Sequence, residues 1–514
     1  MHTPSIQKSD RLSYLWLLLA ASLNLFVVGE WAMPIAAWLG PLFVLRFLRT
    51  NRSWRSVGLY WLLSIPFLHT ALNGIVPIPG IGFTIFLIII VTLALIPYLI
   101  DRWLTPRLPG LIGTLVFPLS STVFEYVNAY GTYGTFGSTA YTQFGNLALM
   151  QIVSVTGLWG IIFLAMWFAS VVNWAWENEW SWPRVKHGVL AYTLIVALVM
   201  LYGTIRLISA GAPAETVRVA GIPSNQDYIA TLSQNYPDLM SKMFDNTLSE
   251  EEKSLLQGYF NTSNDSLLER SQAEAQAGAK IVFWAEANAI VMKENEADFI
   301  ERGRALAQEQ QIYLGMAVGV FDSTNEKPLE NKIVLIDPSG ELSSQYLKAY
   351  PVPGGEAEAS VEGTDIIPTL DTPFGRIAAV ICFDMDHHHH ILQAGRANVD
   401  ILFAPSNDWE AVADLHMQMS TFRAIENGVT LVRPTSQGIS VATDSFGRII
   451  AQSDFYTTNG GALVTHVPAA QHIPTIYAII GDLFAWLCAV ALVGLAGWGV
   501  VRGRKGKKGL EEEA

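Results

Sequence analysis

Apolar runs fill most of residues 12–209, return at 475–501, and bracket a polar block at 212–473. Stretches long enough to cross ~30 Å of hydrocarbon can be drawn at 12–29, 31–48, 56–73, 80–100, 110–128, 147–173, 188–209 and 475–501, which predicts eight membrane spans. The first stretch has no small-residue cleavage site and a second follows almost at once, so it reads as a span and not as a cleavable signal peptide. From Thr216 the period shortens. TVRVAGI at 216–222, KIVFWAE at 280–286, IYLGMAVGVF at 312–321, KIVLID at 332–337, RIAAVICF at 376–383, DILFAP at 400–405, ISVATD at 439–444 and ALVTHVP at 462–468 read as strands. Pro338-Ser339-Gly340, Pro373-Phe374-Gly375 and Ser445-Phe446-Gly447 mark hairpin turns between them. Helical periodicity fits 293–310 and 414–427, and 237–278 reads as polar helix with loops. Strands in hairpins alternating with helices predict an α/β sandwich.

Orientation follows from Lys and Arg in the short loops. Arg46, Arg49, Arg52 and Arg55 accompany the end of span two, Arg102 and Arg107 follow span four, and Arg184 and Lys186 follow span six. The loops after spans one, three and five carry neither residue. Lys8 and Arg11 precede span one, and Arg502, Arg504, Lys505, Lys507 and Lys508 follow span eight. Both termini are therefore expected in the cytoplasm, with the polar block on the outer face. This gives a seven-span region 1–211, an outer domain 212–473, an eighth span 474–501 and a charged tail 502–514.

Composition sharpens this division. The chain is 51% hydrophobic and 15% charged, which excludes both a disordered chain and a plain cytosolic enzyme. Residues 212–473 hold 35 Asp and Glu against 16 Lys and Arg, a net −19, so the remainder supplies +6 to the overall −13. So acidic a block does not suit nucleic acid. With only Cys382 and Cys488 present, no disulfide can lie within the outer domain, and its single thiol invites a reactive role.

Three segments carry candidate chemistry: Trp284-Ala285-Glu286, Tyr346-Leu347-Lys348 followed by Pro353-Gly354-Gly355-Glu356, and Val380-Ile381-Cys382-Phe383-Asp384. Each ends or follows a predicted strand. A cysteine at a strand end, followed by a turn, projects over a sheet edge with backbone N–H groups close by; a carboxylate can take its proton and a lysine can hold the thiolate and a developing oxyanion. Singly, each also fits a surface charge, an inert buried thiol or an ordinary loop.

Taken together and in this order, these segments resemble the Glu-Lys-Cys triad of the nitrilase, or carbon–nitrogen hydrolase, superfamily. With seven spans before the domain and one after it, the chain resembles the membrane-bound branch of that superfamily, the bacterial apolipoprotein N-acyltransferases. Further likeness lies in Gly157-Leu158-Trp159-Gly160 with Phe163-Leu164, in Ser406-Asn407-Asp408, in His416-Met417-Gln418 with Arg423-Ala424, and in Arg433 through Gly438. The resemblance implies an αββα sandwich in which Cys382 is the nucleophile, Glu286 the general base and Lys348 the stabiliser of thiolate and oxyanion. Glu356 and the Phe383 backbone would be supporting or oxyanion groups. It implies a thioester route by which an acyl chain leaves a membrane phospholipid for the α-amine of a diacylglyceryl-cysteine lipoprotein. The setting would be the bacterial cytoplasmic membrane, and no cofactor or metal is implied.

The sequence departs from the family at Ala285, where proline is usual, and at Asp384, where glutamate is usual. The lipid-binding arm is shortened to Asn407-Asp408-Trp409-Glu410, which makes Trp409 a lid candidate, and 232–258 is long enough to supply a replacement lid. Glu125 and Asp482 lie near the outer face and read either as interfacial carboxylates reaching water or as headgroup or lid contacts. The uncharged loop from Tyr130 to Gly137 reads as an aromatic belt or as part of a lipid path. His387-His388-His389-His390 reads as an exposed helix start or a polar pocket lining rather than a metal site, since four adjacent side chains cannot converge on one ion. Two rivals to the acyltransferase remain: a membrane-tethered nitrilase-like amidase or a transferase with another amine acceptor, and a pseudoenzyme acting as a membrane binding module.

Overall fold

The computed structural model describes residues 11–225 and 234–511. Lys8, the first residues of the 232–258 segment and the last three of the tail lie outside the described residues. The chain forms two units, one comprising 1–131, 137–208 and 482–514, the other 132–136 and 209–481.

The first unit is helical. Among the described residues, five helices are long and apolar enough to cross a membrane: Gly80–Arg107, Gly110–Asn128, Trp159–Glu177, Trp182–Ser209 and Leu483–Arg504. Helices Ser13–Leu23, Pro34–Thr50 and Trp54–Leu72 occupy the first three predicted spans but are shorter or less apolar. The predicted span 147–173 begins later than its apolar run suggests. Residues 147–156 form two single turns, and Gly157, at φ 63°, breaks them from the long helix Trp159–Glu177. Arg49, read from sequence as a loop charge, makes a two-point ion pair with buried Asp101 at 2.7 and 2.9 Å. On Trp182–Ser209, Leu190, Leu194, Leu198, Leu201, Ile205 and Ile208 form an exposed stripe at helical spacing. Water would not tolerate that much bare apolar surface on one helix; hydrocarbon does.

The second unit is built on two sheets. Strands are β1 Thr216–Ile222, β2 Ile281–Trp284, β3 Ala289–Met292, β4 Tyr313–Phe321, β5 Leu329–Ile336, β6 Leu342–Leu347, β7 Thr369–Thr372, β8 Gly375–Ala379, β9 Ile401–Phe403, β10 Ser406–Asn407, β11 Thr430–Arg433, β12 Thr435–Ser436, β13 Ile439–Thr443, β14 Ile449–Asp454 and β15 Leu463–Pro468. The first sheet runs β15-β1-β2-β4-β5-β6 with β3 on β4, the second β14-β13-β11-β9-β8-β7, and β10 pairs β12 alone. β1, β2, β4, β9 and β11 read as nearly unbroken apolar runs because both their faces are covered. Helices Glu250–Gln276 and Glu296–Gln310 pack on the first sheet and Ala413–Asn427 on the second. Between the sheets Phe283 stacks on Phe403 with ring centroids 4.0 Å apart, and residues of both sheets share one core. This is the α/β sandwich of the sequence reading, layered α-β-β-α. The predicted strand 376–383 stops at Ala379, because the chain must leave the sheet to turn at Cys382.

Candidate active site

Glu286, Lys348 and Cys382 leave the ends of β2, β6 and β8 and meet where the two sheets adjoin. Glu286 is two residues past β2, and the next residue, Ala287, turns the chain at φ 48°. Lys348 directly follows β6, its N–H donating to Asn331 O at 2.9 Å. Cys382 opens a 3-10 turn, Cys382–Asp386, with its own backbone in the left-handed region at φ 46° and its N–H on Pro405 O at 2.9 Å. A β-carbon in that region is sterically disfavoured, so the surrounding contacts must hold the turn in place. Glu356 is the second residue of the short helix Gly355–Ala359, which follows Gly354 at φ 106°.

Lys348 Nζ lies between two carboxylates, 2.7 Å from Glu286 Oε1 and 2.8 and 2.9 Å from the oxygens of Glu356. Asn331 Nδ2 donates to the same pair at 2.7 and 3.0 Å, and the Val352 N–H fixes Glu356 Oε2 at 2.8 Å. Glu286 Oε2 accepts the Asn407 N–H at 2.9 Å, and Cys382 Sγ is 4.0 Å from Asn407 O. All three triad residues are buried.

The charges follow from this packing. Burial pushes the Glu286 carboxyl up, against the pull of Lys348. Burial alone would discharge Lys348, but Glu286 and Glu356 outweigh it and keep the ammonium charged well beyond the ordinary lysine range. Burial likewise works against the Glu356 charge, yet Lys348 holds that carboxyl below its usual value. The Cys382 thiol is pushed well up by burial and by Glu286, with Lys348 partly opposing. At rest the sulfur is a thiol beside a carboxylate of raised basicity. Were the sulfur to attack a carbonyl, it would have to give up its proton as the new bond forms, and Glu286 is a carboxylate that could take it.

A second cluster adjoins the sulfur and was not legible as a site in the sequence. Asp408 accepts from Arg433 Nη2 at 2.9 Å on both oxygens and pairs with His416 Nδ1 at 2.9 Å. Cys382, Asp408 and His416 bring donor atoms within 4.8 Å of one another, a set that suits a soft divalent ion. Arg433 and His416 already hold that carboxylate, so the cluster is closed as an ion-pair network.

The remaining candidates lie as follows. Phe383 is buried next to Cys382 and meets the His387 ring edge-on at 5.3 Å. Trp409 is half-buried, its ring edge-on to His416 at 6.1 Å. Glu125 belongs to the helical unit, where Ser138 Oγ, Thr139 N and Thr139 Oγ1 donate to its oxygens at 2.7, 3.2 and 2.6 Å, so the carboxylate clips the loop that follows its helix. Asp482 is held by Trp159 Nε1 at 2.8 Å and the Tyr130 hydroxyl at 3.2 Å. The middle of the loop 130–137 belongs to the second unit: Thr135 N and Oγ1 donate to Asp386 O at 2.9 and 2.8 Å, and Arg423 donates to Thr135 Oγ1 at 2.8 Å. The histidine run does start a helix, His388–Arg396, but that start is not exposed. His387, His388 and His390 are buried; His387 stacks on Tyr350 with centroids 3.8 Å apart, and His390 Nε2 meets the Tyr346 hydroxyl at 2.9 Å. The run is an internal polar lining.

Two family models match the chain. Residues 248–473 fit the carbon-nitrogen hydrolase family, and residues 17–171 fit the apolipoprotein N-acyltransferase N-terminal domain. Over most of its length the chain is similar to the apolipoprotein N-acyltransferases. The apolipoprotein N-acyltransferase of Geobacter metallireducens is 24% identical over 467 residues, covering 85% of this chain and 83% of that one. The Pasteurella multocida apolipoprotein N-acyltransferase is 23% identical, over 83% and 82% of the two chains. An amidase of known structure from Nesterenkonia sp. aligns with 51% of this chain and 95% of its own at 17% identity and a TM-score of 0.37. In this chain the carbon-nitrogen hydrolase match follows the match to the N-terminal domain of apolipoprotein N-acyltransferases, and the latter lies in the helical unit.

Proposed function

We propose that this protein moves an acyl chain from a membrane phospholipid to the N-terminal amine of a diacylglyceryl-cysteine lipoprotein, through a thioester on Cys382. The observation that carries this reading is Lys348 held between Glu286 and Glu356 beside a buried thiol. Glu286 takes the thiol proton as Sγ attacks the ester carbonyl. Lys348 and backbone N–H groups at the Cys382 turn, Phe383 among them, balance the oxyanion, and the alcohol of the lysolipid leaves with the proton. The acceptor amine then attacks the thioester carbon. The C–S bond breaks, and the proton lost by the amine restores the thiol through Glu286. Trp409 is the lid candidate that remains beside the pocket.

Both substrates are lipids, and a site carried by a membrane protein spares their extraction into water. The topology that serves this reaction has eight spans in the bacterial cytoplasmic membrane, both termini inside, and residues 212–473 outside. Reporter fusions and protease shaving of intact cells test it, and protection of 212–473 would overturn it. The decisive experiment for the reaction is mass spectrometry of a lipoprotein N-terminus from cells with and without the protein. N-acylation lost with it, and not restored by Cys382→Ala, is the expected result.

The shortened arm at Trp409 and Glu410 favours a second reading, an amidase or a transferase with another amine. Ammonia release from small amides without N-acyl peptide would favour it.

A further inference from the structure

Asn407 touches both partners in the first proton transfer. Its N–H donates to Glu286 Oε2 at 2.9 Å, and its carbonyl oxygen is the acceptor facing Cys382 Sγ at 4.0 Å. Glu286 Oε1 already accepts from Lys348 and Asn331, so Oε2, with a single donor among the described residues, has the capacity to take the thiol proton. Where Asn407 sits therefore sets the geometry of that transfer.

Little regular structure holds Asn407 itself. β10 is two residues long and pairs only with β12, Ser406 opposite Thr435 and Asn407 opposite Ser436. The next residue carries the anchor. Asp408 donates its N–H to Ser436 O at 3.0 Å, and its fully buried carboxylate is gripped by Arg433 at two points and by His416 at one. Those partners come from the end of β11 and from the helix Ala413–Asn427. Gly438 leaves room for the carboxylate, since a Cβ there would come 2.6 Å from Asp408 Oδ2. A buried ionic set of this kind gains little net stability but admits few alternative geometries.

We infer that Asp408, clamped by Arg433 and His416, is a positioning residue that fixes the Asn407 backbone between Glu286 and Cys382 and so sets the rate of acyl-enzyme formation. The inference rests on the thioester reading above. It extends the machinery from three residues to a second layer that touches neither substrate nor the reacting bond.

The test follows acyl-enzyme formation against pH in the full-length protein in phospholipid-containing detergent micelles. His416→Ala removes one clamp and loosens Asn407. Losing the N–H on Oε2 makes Glu286 more basic, so the acid limb of the rate profile should move up by about half a pH unit or more. The rate should fall about tenfold with the phospholipid KM changed less than about threefold. His416→Asn places an amide N–H where Nδ1 was and should restore most of the rate and the limb. A merely structural role would lower the yield of folded protein and leave the limb in place. Arg433→Lys, which keeps the charge but loses the two-point grip, should shift the limb in the same direction and carries the test if His416→Ala does not fold. An unmoved limb in both variants, or His416→Asn no better than His416→Ala, would overturn the inference. If the wild type forms no acyl-enzyme from phospholipid, the donor assignment fails, and the same comparison with a p-nitrophenyl ester still decides the positioning role.

Discussion

The Tyr346 phenol donates to Asp384 Oδ2 at 2.7 Å, tying the strand that delivers Lys348 to the turn that carries Cys382. Asp384 also accepts the N–H groups of Ile381 and Tyr350, each at 2.8 Å. With three donors converging on it, this buried carboxylate fastens two of the loops that form the site. Asp384→Asn turns an amide N–H toward the backbone N–H of Tyr350 or of Ile381, neither of which can accept it. A loss of about 2 kcal/mol in stability is expected, with transfer activity falling alongside, as checked by thermal unfolding and N-acylation assays.

Cys382 should alkylate slowly near neutral pH and faster as pH rises, because the thiol is held protonated. The two charged neighbours act in opposite senses. Lys348→Ala should move the alkylation midpoint up, and Glu286→Gln should move it down, each by about one pH unit or more. Glu286→Gln would then be more readily alkylated and yet unable to form the thioester. Iodoacetamide labelling followed by peptide mass spectrometry reads both effects; equal shifts in one direction would contradict the charge assignment.

Among the described residues Asp386 Oδ2 has no hydrogen-bond partner, and it lies 3.9 Å from His416 Nε2. Burial pushes its carboxyl up to about 6, against His416, Arg423 and Arg433. A carboxyl raised in the folded state adds stability that is complete below about pH 4, the unfolded value, and lost as pH rises through 6. Asp386→Asn should therefore stabilise the protein by up to about 3 kcal/mol at pH 7 to 8, with little change at pH 4. Unfolding midpoints at the two pH values test this, and a uniform loss would refute it.

Transfer activity should survive chelators, and purified protein should carry no stoichiometric metal, because Arg433 holds both oxygens of Asp408. Arg433→Ala frees that carboxylate beside Cys382 and His416. Inhibition by micromolar zinc should then be at least about tenfold stronger than in wild type, as read from activity titrations.

Glu286 and Cys382 were legible because each lies at the end of a predicted strand, where a turn can present a side chain, whereas Lys348 follows β6, which was not predicted. The order and spacing of Glu286, Lys348 and Cys382 then matched one family. The Asp408 network was not legible as a site. Arg433 is 25 residues from Asp408 and His416 eight, and only the packing of a helix against a sheet end joins them. Edge strands β6, β7 and β14 were missed for a related reason: half-exposed and polar, they lack the apolar alternation that marks β1 or β4. The histidine run misled because adjacent polar residues usually face water, whereas here stacking on Tyr350 and bonding to Tyr346 keep them inside.

Cys382 sits at φ 46°, a region in which glycine would be at ease and cysteine is not. Under the proposed thioester reaction, selection for transfer keeps a β-carbon there, at a conformational cost of about 1 kcal/mol. In a lineage that no longer needed the reaction, that pressure would lapse. The first drift at this position should favour glycine, so a glycine here in a related genome would mark a lineage released from catalysis rather than one that had lost its fold.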